Sequence, residues 1–315
     1  MSGIDGYPIS ALGTKCWLLG YGVDPSEGAK LIFRTLIEEM DLAASRFRAD
    51  SELCQVFNGT ARREAVVSEL LFDALEAALR GARVTNGYLD PTVEGSLVAL
   101  GYRADFTSSV MDGSLSLGST CVVLPPGYKN VLLNKANRSV SVSEGVRFDL
   151  GSTGKAFLAD RIRERIESEL SEPILVNLGG DISASQVGDY GFWPVKVTDD
   201  HSLDPSGSGV TISIAGGGVA TSSTLRRSWR VGSKTVHHIV DPFSGTSANS
   251  PFESVTVLAG SALDANIASS GTIAMGVDGP EWLASTGLPA FAKSKKLGVR
   301  YFGEWQRFSS AWSFV

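Results

Sequence analysis

Asp149-Leu-Gly-Ser-Thr-Gly-Lys155 is the stretch that decides between two folds. Read as a phosphate loop, it implies a nucleoside-triphosphatase with a parallel sheet. The spacing excludes that reading. A Walker A loop has four residues between its glycines and a Ser or Thr after its lysine. Here two residues separate Gly151 from Gly154, and Ala156 follows Lys155. The local physics survives: a glycine-rich turn entering a helix offers free N–H groups and a positive dipole end to an anion. Lys155 adds a cation in the first turn.

Working outward, residues 153–170 read as the helix that this turn starts, and 173–177 as a strand entering Gly179-Gly180-Asp181. Upstream, 130–133 and 139–142 form a hairpin around Asn134-Lys-Ala-Asn-Arg138. Residues 104–127, rich in Ser, Gly and Pro, read as loop. Helices are predicted over 26–47, from the spacing of Leu31, Ile32, Leu36, Ile37 and Met40, and over 68–85, stopped by Asn86-Gly87. A first strand covers 14–21. Downstream, short strands fill 182–258, a helix covers 261–275, and the tail 297–315 reads as a hairpin or two short strands. Strands and helices come in blocks, so the fold class is α+β, not doubly wound α/β. No linker or repeat divides the chain, which is expected to be one domain over 1–315.

Composition narrows the function. A content of 43% apolar and 20% charged residues is that of an ordinary globular protein, and a net charge of −6 argues against nucleic acid as a partner. No apolar run reaches transmembrane length. The N-terminus lacks the pattern of a signal peptide or lipobox, so the cytoplasm is the expected setting. Cys16, Cys54 and Cys121 are isolated, which indicates neither a disulfide framework nor a zinc knuckle.

Two of the three histidines stand together in Val236-His-His-Ile-Val-Asp-Pro-Phe-Ser-Gly245. The period of a strand sends His237 and His238 to opposite faces. Zinc would need further ligands, and the third histidine, His201, lies in a polar loop. One imidazole facing a pocket and one facing solvent is the expected geometry.

Taken singly, Asp90-Pro-Thr92, Leu178-Gly-Gly-Asp181 and Ala220-Thr-Ser222 are weak signals, as common in turns and strand ends as in sites. Their order is informative. Asp90-Pro-Thr, Asp149-Leu-Gly-x-x-x-Lys155, Asn177-Leu-Gly-Gly-Asp181, Ala220-Thr-Ser and His238-Ile-Val-Asp-Pro-x-Ser-Gly245 precede a final small-residue helix. Upstream lie Ala11-Leu-Gly-Thr14 and Ser45-Arg-Phe-Arg-Ala-Asp-Ser-Glu-Leu53, closed by Asn58. This succession, over about residues 10–277, resembles the ApbE family of FAD:protein FMN transferases.

That resemblance implies a two-lobed fold with mostly antiparallel sheets and FAD bound between the lobes. It also implies magnesium-assisted cleavage of the FAD pyrophosphate and transfer of FMN to a Thr or Ser of an acceptor protein. Carried over by position, Leu12, Phe47, Tyr88, Leu89, Asp90, Asp149, Lys155, Thr221 and Val240 form the flavin pocket. Phe47 offers an apolar face to a flat ring. His238 and Asp241 are the catalytic candidates, with His238 beside the reacting phosphate and Asp241 shaping the turn with Pro242. Magnesium falls to Asn266 and Ser270, one helical turn apart, with Ser152 of the glycine-rich loop.

The metal site departs from the family, which has an Asp where Asn266 stands; a neutral amide predicts weaker binding that leans on the FAD pyrophosphate. Asp264 lies about 200° round the helix from Asn266 (about 100° per residue) and completes a Ser261-x-x-Asp264 capping pattern. Further departures are Leu12 for Met, Ala156 for Gly and Ser223 for Gly. Two alternatives follow from the same site: an FAD-binding protein without transfer, and an FAD pyrophosphatase releasing FMN and AMP.

Overall fold

The computed structural model describes residues 6–58, 63–103, 122–188, 191–198 and 209–309. Its frame is an eight-stranded sheet whose strands run side by side in chain order. They are Tyr7–Ala11, Thr14–Gly20, Ile174–Leu178, Asp181–Ala184, Gly217–Ser223, Ser254–Ala259, Ala290–Ser294 and Gly298–Phe302. Every pairing in it is antiparallel. Among the described residues seven α-helices accompany it: α1 (Glu27–Ala44), α2 (Glu69–Val84), α3 (Glu94–Ala99), α4 (Gly154–Leu170), α5 (Ala262–Ala274), α6 (Gly279–Thr286) and α7 (Gln306–Ser309). The α+β class follows.

Both faces of the sheet are covered, and side-chain alternation sorts residues between two cores. Ile174, Val176 and Leu178 join Leu18 under α1, α2 and α4, while Leu175, Ile182 and Val219 face the hairpin of Trp193–Thr198 with Gly209–Ile214. A strand buried on both sides reads as a continuous apolar run, which is why Ile174-Leu-Val-Asn-Leu178 shows no period.

Ser26 and Ser68 cap α1 and α2, each side chain accepting from the backbone N–H three residues on. The 104–127 loop lies largely outside the described residues. The start and the tail differ from the sequence reading. Tyr7–Ala11 is an additional first strand, joined to Thr14–Gly20 by Leu12 and Gly13 with φ of 51° and 66°. An Asn-Gly or Gly-Gly pair announces such a two-residue turn; a leucine in the left-handed region does not. In the tail, Gly298–Phe302 pairs back onto Ala290–Ser294 and the turn of α7 follows it, while 310–315 lie outside the described residues. The short α3 and α6 were not foreseen. Three turns or fewer carry little periodic signal.

Helix α5 sits at the centre. Ala262 and all residues from Ala265 to Ala274 are buried, and the helix packs on the strands Gly217–Ser223 and Ser254–Ala259. Ser261 caps its start, its Oγ accepting from Asp264 N at 3.0 Å. From α4, the Asp160 carboxylate accepts from Ala262 N and Leu263 N, both at 2.9 Å, and from Ser183 Oγ at 2.6 Å. One buried side chain thus ties α5 to α4 and to the Asp181–Ala184 strand.

Candidate active site

A cavity of about 580 Å³ opens beside α5. The glycine-rich turn before α4, the segment before α3, the end of α1 and the Gly217–Ser223 strand contribute its walls. Of the residues singled out from sequence, Leu12, Phe47, Tyr88, Leu89, Asp90, Asp149, Ser152, Lys155, Thr221, His238, Val240, Asn266 and Ser270 all line it. Asp241 does not. Its carboxylate accepts from Phe243 N at 3.0 Å and its carbonyl from Gly245 N at 2.9 Å, so it builds the turn after His238.

One wall is flat. The Arg46 guanidinium lies 4.0 Å from the Phe47 ring centre and 4.6 Å from that of Tyr102. A buried ion pair joins Arg46 to Asp149, whose Oδ1 also accepts from Gly151 N at 2.8 Å. The glycine-rich turn is therefore fixed to the end of α1. Asn58 holds it from behind, bonding both the carbonyl and the N–H of Phe148 at 2.7 Å. Asp90 works inside its own wall, accepting from Thr92 N, Thr92 Oγ1 and Tyr128 N.

The floor is cationic. Lys155 and Arg227 both reach it, and among the described residues neither is in an ion pair. Desolvation, then the neighbouring Arg227, pulls the Lys155 ammonium below the ordinary lysine value. His238 is held well below the usual imidazole range by burial, with Arg227, His237 and Lys155 adding to the effect. At neutral pH it is an uncharged imidazole, suited to accept a proton. The expected split of the pair holds in that His238 alone reaches the cavity. His237, expected in solvent, is instead half-buried, with its Nε2 3.0 Å from the Ala248 carbonyl and its N–H donated to Ser247 Oγ.

The far wall belongs to α5. Ser270 Oγ lies 2.7 Å from Ser222 Oγ. Asn266 donates its Nδ2 to Asp181 Oδ1 at 3.0 Å, and its own Oδ1 is buried without a partner. Asp264 turns away, paired with Arg80 at 2.5 Å on the surface. Sequence reasoning passed over Arg46, Tyr102, Asp181 and Arg227. Arg46 stood inside a quoted motif, and Asp181 ended one; nothing local marked either as a wall of the cavity.

An aromatic wall, a cationic floor and an oxygen-lined helix face meet in one cavity, a combination suited to a ligand that carries both a ring system and phosphate. A profile of the ApbE family matches residues 12–292, and the chain belongs to that family. It is 26% identical over 273 residues to an FAD:protein FMN transferase of Klebsiella pneumoniae, covering 86% of this chain and 83% of that protein. A second FAD:protein FMN transferase, of Treponema pallidum, is 25% identical over 283 residues, covering 85% and 77%. Among solved structures, the ApbE protein of Thermotoga maritima superposes with a TM-score of 0.80 at 25% identity, over 97% of this chain and 99% of that one. No helix among the described residues is long and apolar enough to cross a membrane.

Proposed function

We propose that this protein is an FAD:protein FMN transferase, which cleaves the FAD pyrophosphate with the help of magnesium and transfers FMN to a Thr or Ser hydroxyl of an acceptor protein. One observation carries the reading: an aromatic wall, unpaired cations and a neutral imidazole meet in a single cavity. The flavin ring lies against Phe47, while Lys155 and Arg227 meet the pyrophosphate oxygens. His238 takes the proton of the incoming hydroxyl as its oxygen attacks the FMN phosphorus. The bond from that phosphorus to the bridging oxygen breaks, and AMP leaves with the oxygen.

Asn266 Oδ1, Ser270 Oγ and the turn at Ser152 supply oxygen donors only, the set that a hard divalent cation takes. A buried carbonyl oxygen with no donor costs about 1–3 kcal/mol, and a bound ion removes that cost. When bound, magnesium neutralises charge developing on the phosphates. The amide at 266 favours a second reading, an FAD-binding protein without transfer. With water as nucleophile, the same site is a pyrophosphatase.

Incubation with FAD and Mg²⁺, with and without an acceptor protein, separates the three. AMP together with acceptor-bound flavin is the expected result. Release of AMP and free FMN, acceptor or not, means hydrolysis. Bound FAD with no AMP in either Mg²⁺ or Mn²⁺ overturns the enzyme reading.

A further inference from the structure

We infer that Asp181, on the strand beside helix α5, supplies the negative charge of the cation site. This inference rests on the transferase reading above and concerns a residue to which that reading gives no task.

Asn266 is 6% exposed, and its orientation follows from the bond to Asp181, because the reversed amide would set oxygen against carboxylate oxygen. Its Oδ1 therefore points away from Asp181 and remains unpartnered in the cavity wall. Asp181 is 5% exposed and lines the same cavity. The amide of Asn266 is the only side-chain partner that the described residues give its carboxylate, and no lysine or arginine nitrogen forms an ion pair with it. A carboxylate buried in that way costs several kcal/mol, on the order of the ion penalties known for protein interiors, unless a charge compensates it. Lys155 and Arg227 act on it only at a distance.

The strand is built to present this side chain. Gly179 and Gly180, with φ of 71° and 104°, turn the Ile174–Leu178 strand directly into Asp181. A Cβ at Gly179 would lie 2.6 Å from Thr14 Oγ1, so the turn admits only glycine there. On the other side Asp181 pairs with Ala220, which brings the strand of Thr221 and Ser222 alongside, and Ser222 bonds Ser270. Asp181, Asn266 and Ser270 thus share one wall. Among the described residues no three His, Cys, Asp or Glu side chains are placed to hold a metal ion, so a cation here draws on amide and hydroxyl oxygens beside a single carboxylate. Such a mixed set suits a hard divalent cation.

The test is a charge swap on the full chain. Mn²⁺ affinity is read from the EPR signal of the free ion, with and without FAD, and FAD affinity from flavin fluorescence. Asp181→Asn keeps the shape and the acceptor for Asn266, and we expect Mn²⁺ affinity to fall about tenfold or more, with FAD still bound. Asn266→Asp/Asp181→Asn, in which amide and carboxylate trade places, is expected to restore Mn²⁺ affinity. Equal Mn²⁺ affinity in wild type and Asp181→Asn overturns the inference. If Asp181→Asn fails to fold, Asn266→Asp decides: two facing carboxylates should make its Tm gain from Mn²⁺ larger than that of wild type, and an equal or smaller gain overturns the inference. A wild-type chain that binds neither FAD nor Mn²⁺ overturns the transferase reading itself; one that binds both, unaffected by Asp181→Asn, leaves that reading standing without this part.

Discussion

The first two turns of helix α5 treat their polar groups in opposite ways. At its start Asp160 receives two backbone N–H groups and a hydroxyl, and Ser261 receives another N–H, so every donor has an acceptor. One turn further on, Asn266 bonds Asp181 with its nitrogen and leaves its oxygen without a donor. Both sets are buried; one is complete and the other is not. The contrast separates a carboxylate that holds the fold from a cavity wall with an oxygen left over, the kind of group that a bound cation or water completes.

The first way to break this contrast is to remove the complete set. Asp160→Ala strips the acceptors from two helix N–H groups and a hydroxyl, with an expected loss of about 3–5 kcal/mol in urea unfolding. Flavin transfer per folded molecule should be unchanged. Comparable stability would mean that the capping contacts do not matter and the contrast is empty.

Across the cavity, His238→Asn is expected to lower FMN transfer about 10²–10³-fold while FAD remains bound. Its pH profile sharpens the point. Because His238 is depressed below its ordinary value, the neutral base persists on acidification, and the acid limb of kcat/KM should fall below pH 6.5. The same sign governs stability. Below the ordinary histidine value the unfolded chain binds a proton that the folded chain refuses, so stability falls as pH drops through that value towards the folded one. An acid limb at or above pH 6.5 would contradict the burial of this imidazole.

At the incomplete turn, Asn266→Asp should tighten Mg²⁺ about tenfold by calorimetry, through one added charge on the ion. No change in affinity would remove position 266 from the site. The smallest effect belongs to Asp264, exposed and paired with Arg80. Asp264→Ala should cost less than about 1 kcal/mol and leave metal affinity as it was; a fall in affinity would return it to the site.

Much of this was legible in the sequence. The failed Walker spacing at Gly151–Lys155 and the Ser261 cap of α5 are local properties, readable from neighbours in the chain, whereas the separation of His237 and His238 comes from the end of the strand at His237 and not from strand alternation. The order of the motifs led to the family and, through it, to nearly every wall of the cavity. Less legible were features set by contacts across the fold. Leu12 adopts a left-handed turn that its side chain disfavours, held there by the pairing of Tyr7–Ala11 with Thr14–Gly20. Arg46 meets Asp149 from another element, and Asp241, beside the imidazole in sequence, belongs to a turn.

By itself, then, the sequence determined which chemical groups this protein has and in what order: a carboxylate at 181, an imidazole at 238 and an amide at 266, each in or beside a recognisable element. Only the tertiary structure decided which of them meet. Asn266 and Asp181 are 85 residues apart, and no period of helix or strand links such positions. Their contact arises because the Asp181–Ala184 and Gly217–Ser223 strands are neighbours in one sheet, with α5 packed on that sheet. The amide of the helix and the aspartate of the strand thus meet in one wall of the cavity.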